Sequence, residues 1–323
     1  MTEETMKTLL KEGAELHLSG NLLGAEILYR QALKVDESSA VAHNNLAFLL
    51  MQGERFAEAE REYLRAIELS PDYSTAYTNL GQAYLLMHRW DEAEDFLTKA
   101  TLLTENEFHA HESLAKLFMM RGESDRSEYH WKKSIQIKPV PENLLNLAHC
   151  LIQQRKLDEA LEVLGQAAPE EEENCRLYAL LGIIYFARYD FGSAIKCFKR
   201  ALGLEPENAE TRHNLAMAYL KTGQSEEAVI ELRWIVLLSP DYTEARNNLA
   251  VIEFSAGETD SALEHFNITL EQEPQNAKAL YYKGALLLQQ GNIETARQIL
   301  QQTVAVKNHD YQQKALELLN SLP

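Results

Sequence analysis

The sequence predicts an all-α fold, a solenoid of antiparallel helix pairs closed by a C-terminal capping helix. Three observations carry that prediction. A triplet recurs at 34-residue intervals, a small residue follows each triplet at a fixed distance, and Gly- and Pro-bearing segments divide the intervals. From Lys11-Glu12-Gly13 the triplet returns at Asn45-Leu46-Ala47, Asn79-Leu80-Gly81 and Ser113-Leu114-Ala115. One step of 33 reaches Asn146-Leu147-Ala148. Steps of 34 then lead to Leu180-Leu181-Gly182, Asn214-Leu215-Ala216, Asn248-Leu249-Ala250 and Tyr282-Lys283-Gly284. Nine repeats therefore run from about Met6 to Asp310. Each is a supersecondary unit too small to bury its own apolar face, so neighbours must stack.

Each repeat reads as helix, turn, helix. The first helix carries the triplet, whose third residue is Gly or Ala in all nine repeats. Apolar residues three and four apart, over roughly 12–14 residues, give each half one apolar stripe. The middle turn lies in segments such as Gln52-Gly53-Glu54 and Thr222-Gly223-Gln224. Gly there accepts the positive φ that ends a helix; repeat five has Arg155 instead. The second helix holds Ala25, Ala59, Ala93, Ser127, Ala160, Ala194, Ala228, Ala262 or Ala296 twelve residues after the triplet. Seven further on stand Ala32, Ala66, Ala100, Ser134, Ala167 and Ala201, before Ile235, Thr269 and Thr303 break the series. Small side chains at fixed points let the two helices approach closely. Pro71, Pro139, Pro206, Pro240 and Pro274 follow five of the second helices. Proline lacks an N–H and disfavours helix in the residue before it. Residues 311–323 lack a second half and read as a capping helix with a polar outer face. Residues 138–174 contain the one-residue deletion, two prolines and a charged loop at 168–174. They read either as a softer joint or as an ordinary inter-repeat loop.

The composition, 46% hydrophobic and 25% charged, suits a folded chain. No apolar run approaches the roughly 20 residues that span a bilayer, and the acid-bearing N-terminus does not read as a secretory signal. Cys150, Cys175 and Cys197 form no CxxC pair, so a cytoplasmic protein with free thiols is expected. A net charge of −18 opposes a nucleic-acid partner, which needs a positive footprint.

The spacing, and the succession Leu181, Gly182, Tyr185, Ala194, Phe198, Ala201, Pro206 in repeat six, resemble the tetratricopeptide repeat. The resemblance covers nearly the whole chain, although repeats one, three, five and nine lack the closing Pro. It implies a right-handed superhelix whose first helices line a concave face, with positions 2, 5, 6, 9, 12 and 13 of each repeat turned inward.

Nothing in the chain points to catalysis. It holds no Gly-rich phosphate loop, GxSxG or HExxH motif. His109 and His111 are two residues apart and point to different sides of a helix. No enzyme activity, cofactor or metal is expected. In the implied register Asn45, Asn79, Asn146, Asn214 and Asn248 face the groove, and Asn44 and Asn247 double two rungs. A carboxamide both donates and accepts, so it can hold a peptide backbone without reading its sequence. The series is similar to the groove asparagines in the repeat domain of O-GlcNAc transferase and in importin-like solenoids; the competing reading is a solvated polar face. Each net hydrogen bond contributes about 1 kcal/mol, while association costs several, so an apolar anchor is also required. The first helix of repeat six, 176–188, is apolar on nearly every side. Leu180, Ile183 and Phe186, with Ala179, are expected to form a hydrophobic groove pocket, which Phe48, Met217, Phe254, Tyr281 and Tyr282 extend. Tighter packing or a subunit contact would use the same residues.

The family's carboxylate clamp is not matched. Repeats one to three present Leu10, Ala14, Asn45, Thr75 and Asn79, and repeats seven to nine present His213, Met217, Asn248, Lys278 and Tyr282. The functional expectation is a non-catalytic adaptor or scaffold that holds an extended segment of a protein partner in its groove. Two other classes stay open: a targeting or regulatory module of a separate enzyme, and a scaffold that self-assembles through its ends or groove.

Overall fold

The computed structural model describes residues 2–167, 173–306 and 308–322. The chain divides into two compact units, residues 1–170 and 171–323. All regular structure among the described residues is α-helical. The N-terminal unit contains α1 (Thr2–Leu18), α2 (Leu22–Val35), α3 (Ala40–Gln52), α4 (Phe56–Leu69), α5 (Ser74–Leu86), α6 (Trp90–Leu103), α7 (Phe108–Met120), α8 (Ser124–Ile137), α9 (Pro141–Gln153) and α10 (Leu157–Ala167). The C-terminal unit contains α11 (Cys175–Ala187), α12 (Phe191–Leu204), α13 (Ala209–Lys221), α14 (Ser225–Leu238), α15 (Thr243–Ala256), α16 (Thr259–Gln272), α17 (Ala277–Gln289), α18 (Ile293–Ala305) and α19 (His309–Asn320). The first helix begins four residues before the expected Met6. Residues 168–172 of the charged loop lie outside the described residues; beyond them Asn174 caps α11 by accepting from the N–H groups of Arg176 and Leu177.

Within each unit, helices pack in consecutive pairs, and each pair packs on the next through its second helix; most also pack more lightly through their first helices, as α3 does on α5 and α15 on α17. The last helix, α19, packs on both α17 and α18. The small positions explain the close pairing. Ala25, Ala59, Ala93, Ser127 and Ala160 are fully buried, as are Ala194, Ala228, Ala262 and Ala296. A Cβ on Gly81 would stand 2.5 Å from Leu97 Cγ, and one on Gly182 would stand 2.4 Å from Phe198 Cε1. The facing side chain therefore occupies the volume that a larger residue would need.

The middle turns refine the expectation for glycine. Gly122 and Gly223 do hold positive φ, at 74° and 77°. In the second repeat, however, Gly53 has φ −86°, and the left-handed residue is Glu54 at 57°. His88, Arg155 and Tyr189 carry the same conformation in repeats three, five and six. The geometry is set by the helix ending itself: the N–H after the left-handed residue reaches back to an orphan carbonyl, as Arg55 does to Leu50 O at 2.9 Å.

A further tie recurs at the fourth place of four repeats. His43 bridges Glu37 O at 3.1 Å and Glu62 at 2.6 Å. His111 bridges Glu105 O at 3.2 Å and His130 Nδ1 at 2.9 Å. Arg212 donates to Pro206 O and to Glu231. Arg246 donates to Pro240 O, but the matching second-helix residue is His265, and Arg246 Nε finds no hydrogen-bond partner among the described residues. All four ties join a first helix to the loop before it, and the first three also join it to its own second helix.

Candidate functional site: an amide-lined cavity

The asparagines of repeats two and three converge in the N-terminal unit. Ser39 accepts from Ala42 N at 3.2 Å and starts α3, which places Asn44 and Asn45 on neighbouring faces. Asn79 follows on α5. Asn79 Nδ2 donates to Asn44 Oδ1 at 2.9 Å, and Asn44 Nδ2 donates to Asn45 Oδ1 at 3.3 Å. Asn44, only 4% exposed, is thus an interior link that orients two half-buried amides. Asn45 Nδ2 remains an uncommitted donor and Asn79 Oδ1 an uncommitted acceptor among the described residues.

Both side chains line one cavity of about 580 Å³. Helix α1 contributes Ala14, His17 and Leu18, α2 contributes Tyr29, and α3 adds Phe48 and Gln52. His17 Nε2 lies 2.7 Å from Gln52 Oε1, and the His17 and Phe48 rings stand 5.5 Å apart. Apart from Tyr29, these residues occupy the places in the 34-residue register that the family resemblance expects to turn inward. Sequence reasoning left out His17, Leu18 and Gln52 as site residues, although their places in the 34-residue register would have found them. Tyr29 belongs to a second helix, and no first-helix register points to it.

The other sequence-derived candidates are placed differently. Asn146 is 6% exposed, between Leu145 and Leu147. Asn214 is half-buried. Asn247, 2% exposed, donates to Asn276 Oδ1 at 3.0 Å, where Asn276 caps α17. Asn248 is fully engaged: Nδ2 contacts His213 Nε2 at 2.8 Å and Met217 Sδ at 3.6 Å, and Oδ1 accepts from Lys278 Nζ. Burial lowers the pKa of Lys278 against the attraction of Glu244. Burial also lowers that of His213, with Glu244 and Glu210 opposing.

Leu180 is 5% exposed. Ile183 and Phe186 pack against the core built from Phe198, Leu215 and Leu232, and the Phe186 ring lies 5.2 Å from Phe191. Met217 joins that core, while Phe254 and Tyr282 pack against the core around Phe266. Among the described residues, no three His, Cys, Asp or Glu side chains are grouped to hold a metal ion. No described helix is long and apolar enough to cross a membrane.

Comparison with known proteins agrees with the repeat geometry. Models described as "Tetratricopeptide repeat" match residues 38–105 and 253–319. A third, the "Tetratricopeptide repeat protein 21 C-terminal ARM domain", matches residues 126–255. The chain is a tetratricopeptide-repeat protein. Among curated relatives, this tetratricopeptide-repeat chain is 24% identical over 151 residues to BBSome complex member BBS4 of Bos taurus. That match covers 47% of this chain and 22% of the relative, so the chain spans about a fifth of the protein it matches. Among solved structures, APC/C hetero-tetramer Cut9-Hcn1 superposes with a TM-score of 0.60 at 19% identity, over 86% of this chain and 55% of that one. PilF of Pseudomonas aeruginosa gives 0.60 at 22% identity, over 67% and 99%. At such identities these structures speak for the fold alone.

Proposed function

We propose that this tetratricopeptide-repeat protein is a non-catalytic, cytoplasmic interaction scaffold that holds an extended segment of a protein partner along the face lined by its first helices. The observation that carries the reading is the wired amide set. By committing one end of Asn45 and one end of Asn79 to Asn44, the fold leaves a donor and an acceptor on the same cavity. An extended peptide group offers the matching acceptor and donor. Same-facing peptide groups recur every second residue, about 7 Å along a strand, so neighbouring repeats can engage one chain. The name of one similar protein, BBSome complex member BBS4, places that protein in an assembly, which suits a scaffold.

The test is selection of peptides from a displayed library on the intact protein, followed by titration against an Asn45→Ala/Asn79→Ala variant. Two bonds of about 1 kcal/mol each correspond to roughly thirtyfold weaker binding. Because the variant also strips both partners from the buried Asn44 amide, a stability loss of about 1–3 kcal/mol is expected, and circular dichroism must show both proteins fully folded at the titration temperature. Peptides that bind wild type and variant equally would refute the reading.

A further inference from the structure

We infer that the cavity beside Asn45 and Asn79 takes one bulky uncharged side chain of the partner segment, aromatic by preference, and is the anchor of that segment. The inference rests on the scaffold reading above and gives it a chemical specificity. An amide ladder alone reads no sequence; this cavity would.

Four observations support it. The volume, about 580 Å³, falls within the range of small-ligand sites and leaves room for a large side chain with its flanking backbone. No Asp, Glu, Lys or Arg is among the residues lining it, so an entering charge would lose its hydration without gaining a counter-charge. Its walls are rings: His17 and Phe48 are tilted 49° to each other at 5.5 Å, and Tyr29 stands edge-on to His17 at 6.5 Å. Such a corner offers an incoming ring the tilted and edge-to-face contacts that aromatic pairs prefer. Apolar surface is also left facing solvent, with Leu18 89% and Phe48 41% exposed.

The repeat register shows that this place is singular. The position held by Phe48 is Ala14, Gln82, Lys116 and His149 in the other repeats of the N-terminal unit, and Gln82 is already bonded to Ser113 Oγ at 3.0 Å. Phe48 is the one phenyl ring at this position in the nine repeats, and next to uncommitted amide groups it marks a point of anchorage rather than a uniform track.

The probe is a set of blocked amino acids, each a single side chain flanked by two peptide groups. N-acetyl-tryptophanamide, N-acetyl-leucinamide, N-acetyl-aspartamide and indole are titrated into the whole protein, and the side-chain NH2 signals of Asn45 and Gln52 are followed by NMR. The tryptophan derivative should shift both signals and bind at least tenfold more tightly than the aspartate derivative. Phe48→Ala and Leu18→Ser should each weaken it at least fivefold. Leu102→Ala, at a 76% exposed position of α6, should leave it unchanged. Equal binding of the aspartate derivative, or indifference to Phe48→Ala, overturns the inference. Indole binding as tightly as its blocked amino acid overturns the peptide part, leaving a pocket for small hydrophobes. Failure of the scaffold reading looks different, because library peptides then ignore Asn45 and Asn79 whatever the fragments do.

Discussion

Replacing Glu231 with Leu should cost the C-terminal unit about 2–3 kcal/mol, more than an ordinary surface change. The Arg212 and Glu231 side chains are only 13% and 17% exposed. Breaking a fully buried ion pair costs about 3–5 kcal/mol, whereas an exposed pair contributes about 0–1 kcal/mol. The present pair lies nearer the first limit. The loss is moderated because Arg212 keeps Pro206 O as an acceptor, at 3.0 Å and 2.8 Å, and keeps its stack on the Trp234 ring at 3.8 Å. Removing both charges in Arg212→Leu/Glu231→Leu avoids the unpaired guanidinium, so the double variant should be more stable than the sum of the single losses by about 1–2 kcal/mol. Urea unfolding followed by helical ellipticity gives the stabilities, and hydrogen exchange on α13 and α14 localises the loss. A Glu231→Leu variant within about 0.5 kcal/mol of wild type, or strict additivity in the double variant, would refute the claim that this tie clamps the repeat.

The N-terminal unit should lose stability in two acid steps. Burial, with lesser contributions from His111 and Arg126 and against Glu94, pushes His130 down to about 4 from 6.5; the unfolded state protonates first, so stability falls as pH drops from about 6.5 to 4, and an NMR titration of the ring should show it neutral until the lower value. For Glu128, burial alone would raise the pKa, but bonds from Lys132, Lys156 and Gln154 outweigh it and hold the carboxyl at about 2. Its contribution, at most about 3 kcal/mol, should persist above pH 4.5 and disappear on the way to 2, and Glu128→Gln should flatten that part of the pH–stability curve. Gly182→Val should cost more than about 2 kcal/mol in urea unfolding, because it drives a branched side chain into Phe198. Arg155→Gly should stabilise the N-terminal unit by about 0.5–1 kcal/mol: relief of the left-handed strain at φ 62°, worth about 1–2 kcal/mol, exceeds the added freedom of glycine in the unfolded chain. A lower urea midpoint in that variant would count against the turn argument.

Particular residues show how far the sequence could be read. The period of 34 and the small residues facing Leu97 and Phe198 follow from spacing along one chain, while the family resemblance gave Asn45, Asn79 and Phe48 neighbouring places in the register, and they do line one cavity. The same spacing treated Asn45, Asn146 and Asn248 alike, and the structure does not. Asn146 is buried, Asn248 is committed to His213 and Lys278, and Asn45 keeps a donor because Asn44 holds its oxygen. The turn glycines were legible as turns, yet the left-handed residue in repeat two is Glu54, one place beyond Gly53.

From its periodicity alone, then, this chain determined that it forms helix pairs, where each pair is pinched and which faces its helices share, because those properties depend on neighbours a few residues away. Tertiary packing decided which amide is spent and which is spare, that Tyr29 closes the cavity, and that Arg212 meets an acid while Arg246 faces a histidine. A hydrogen bond is made or lost over a few tenths of an ångström between helices 19 to 35 residues apart in sequence, and such distances are set only when the repeats stack.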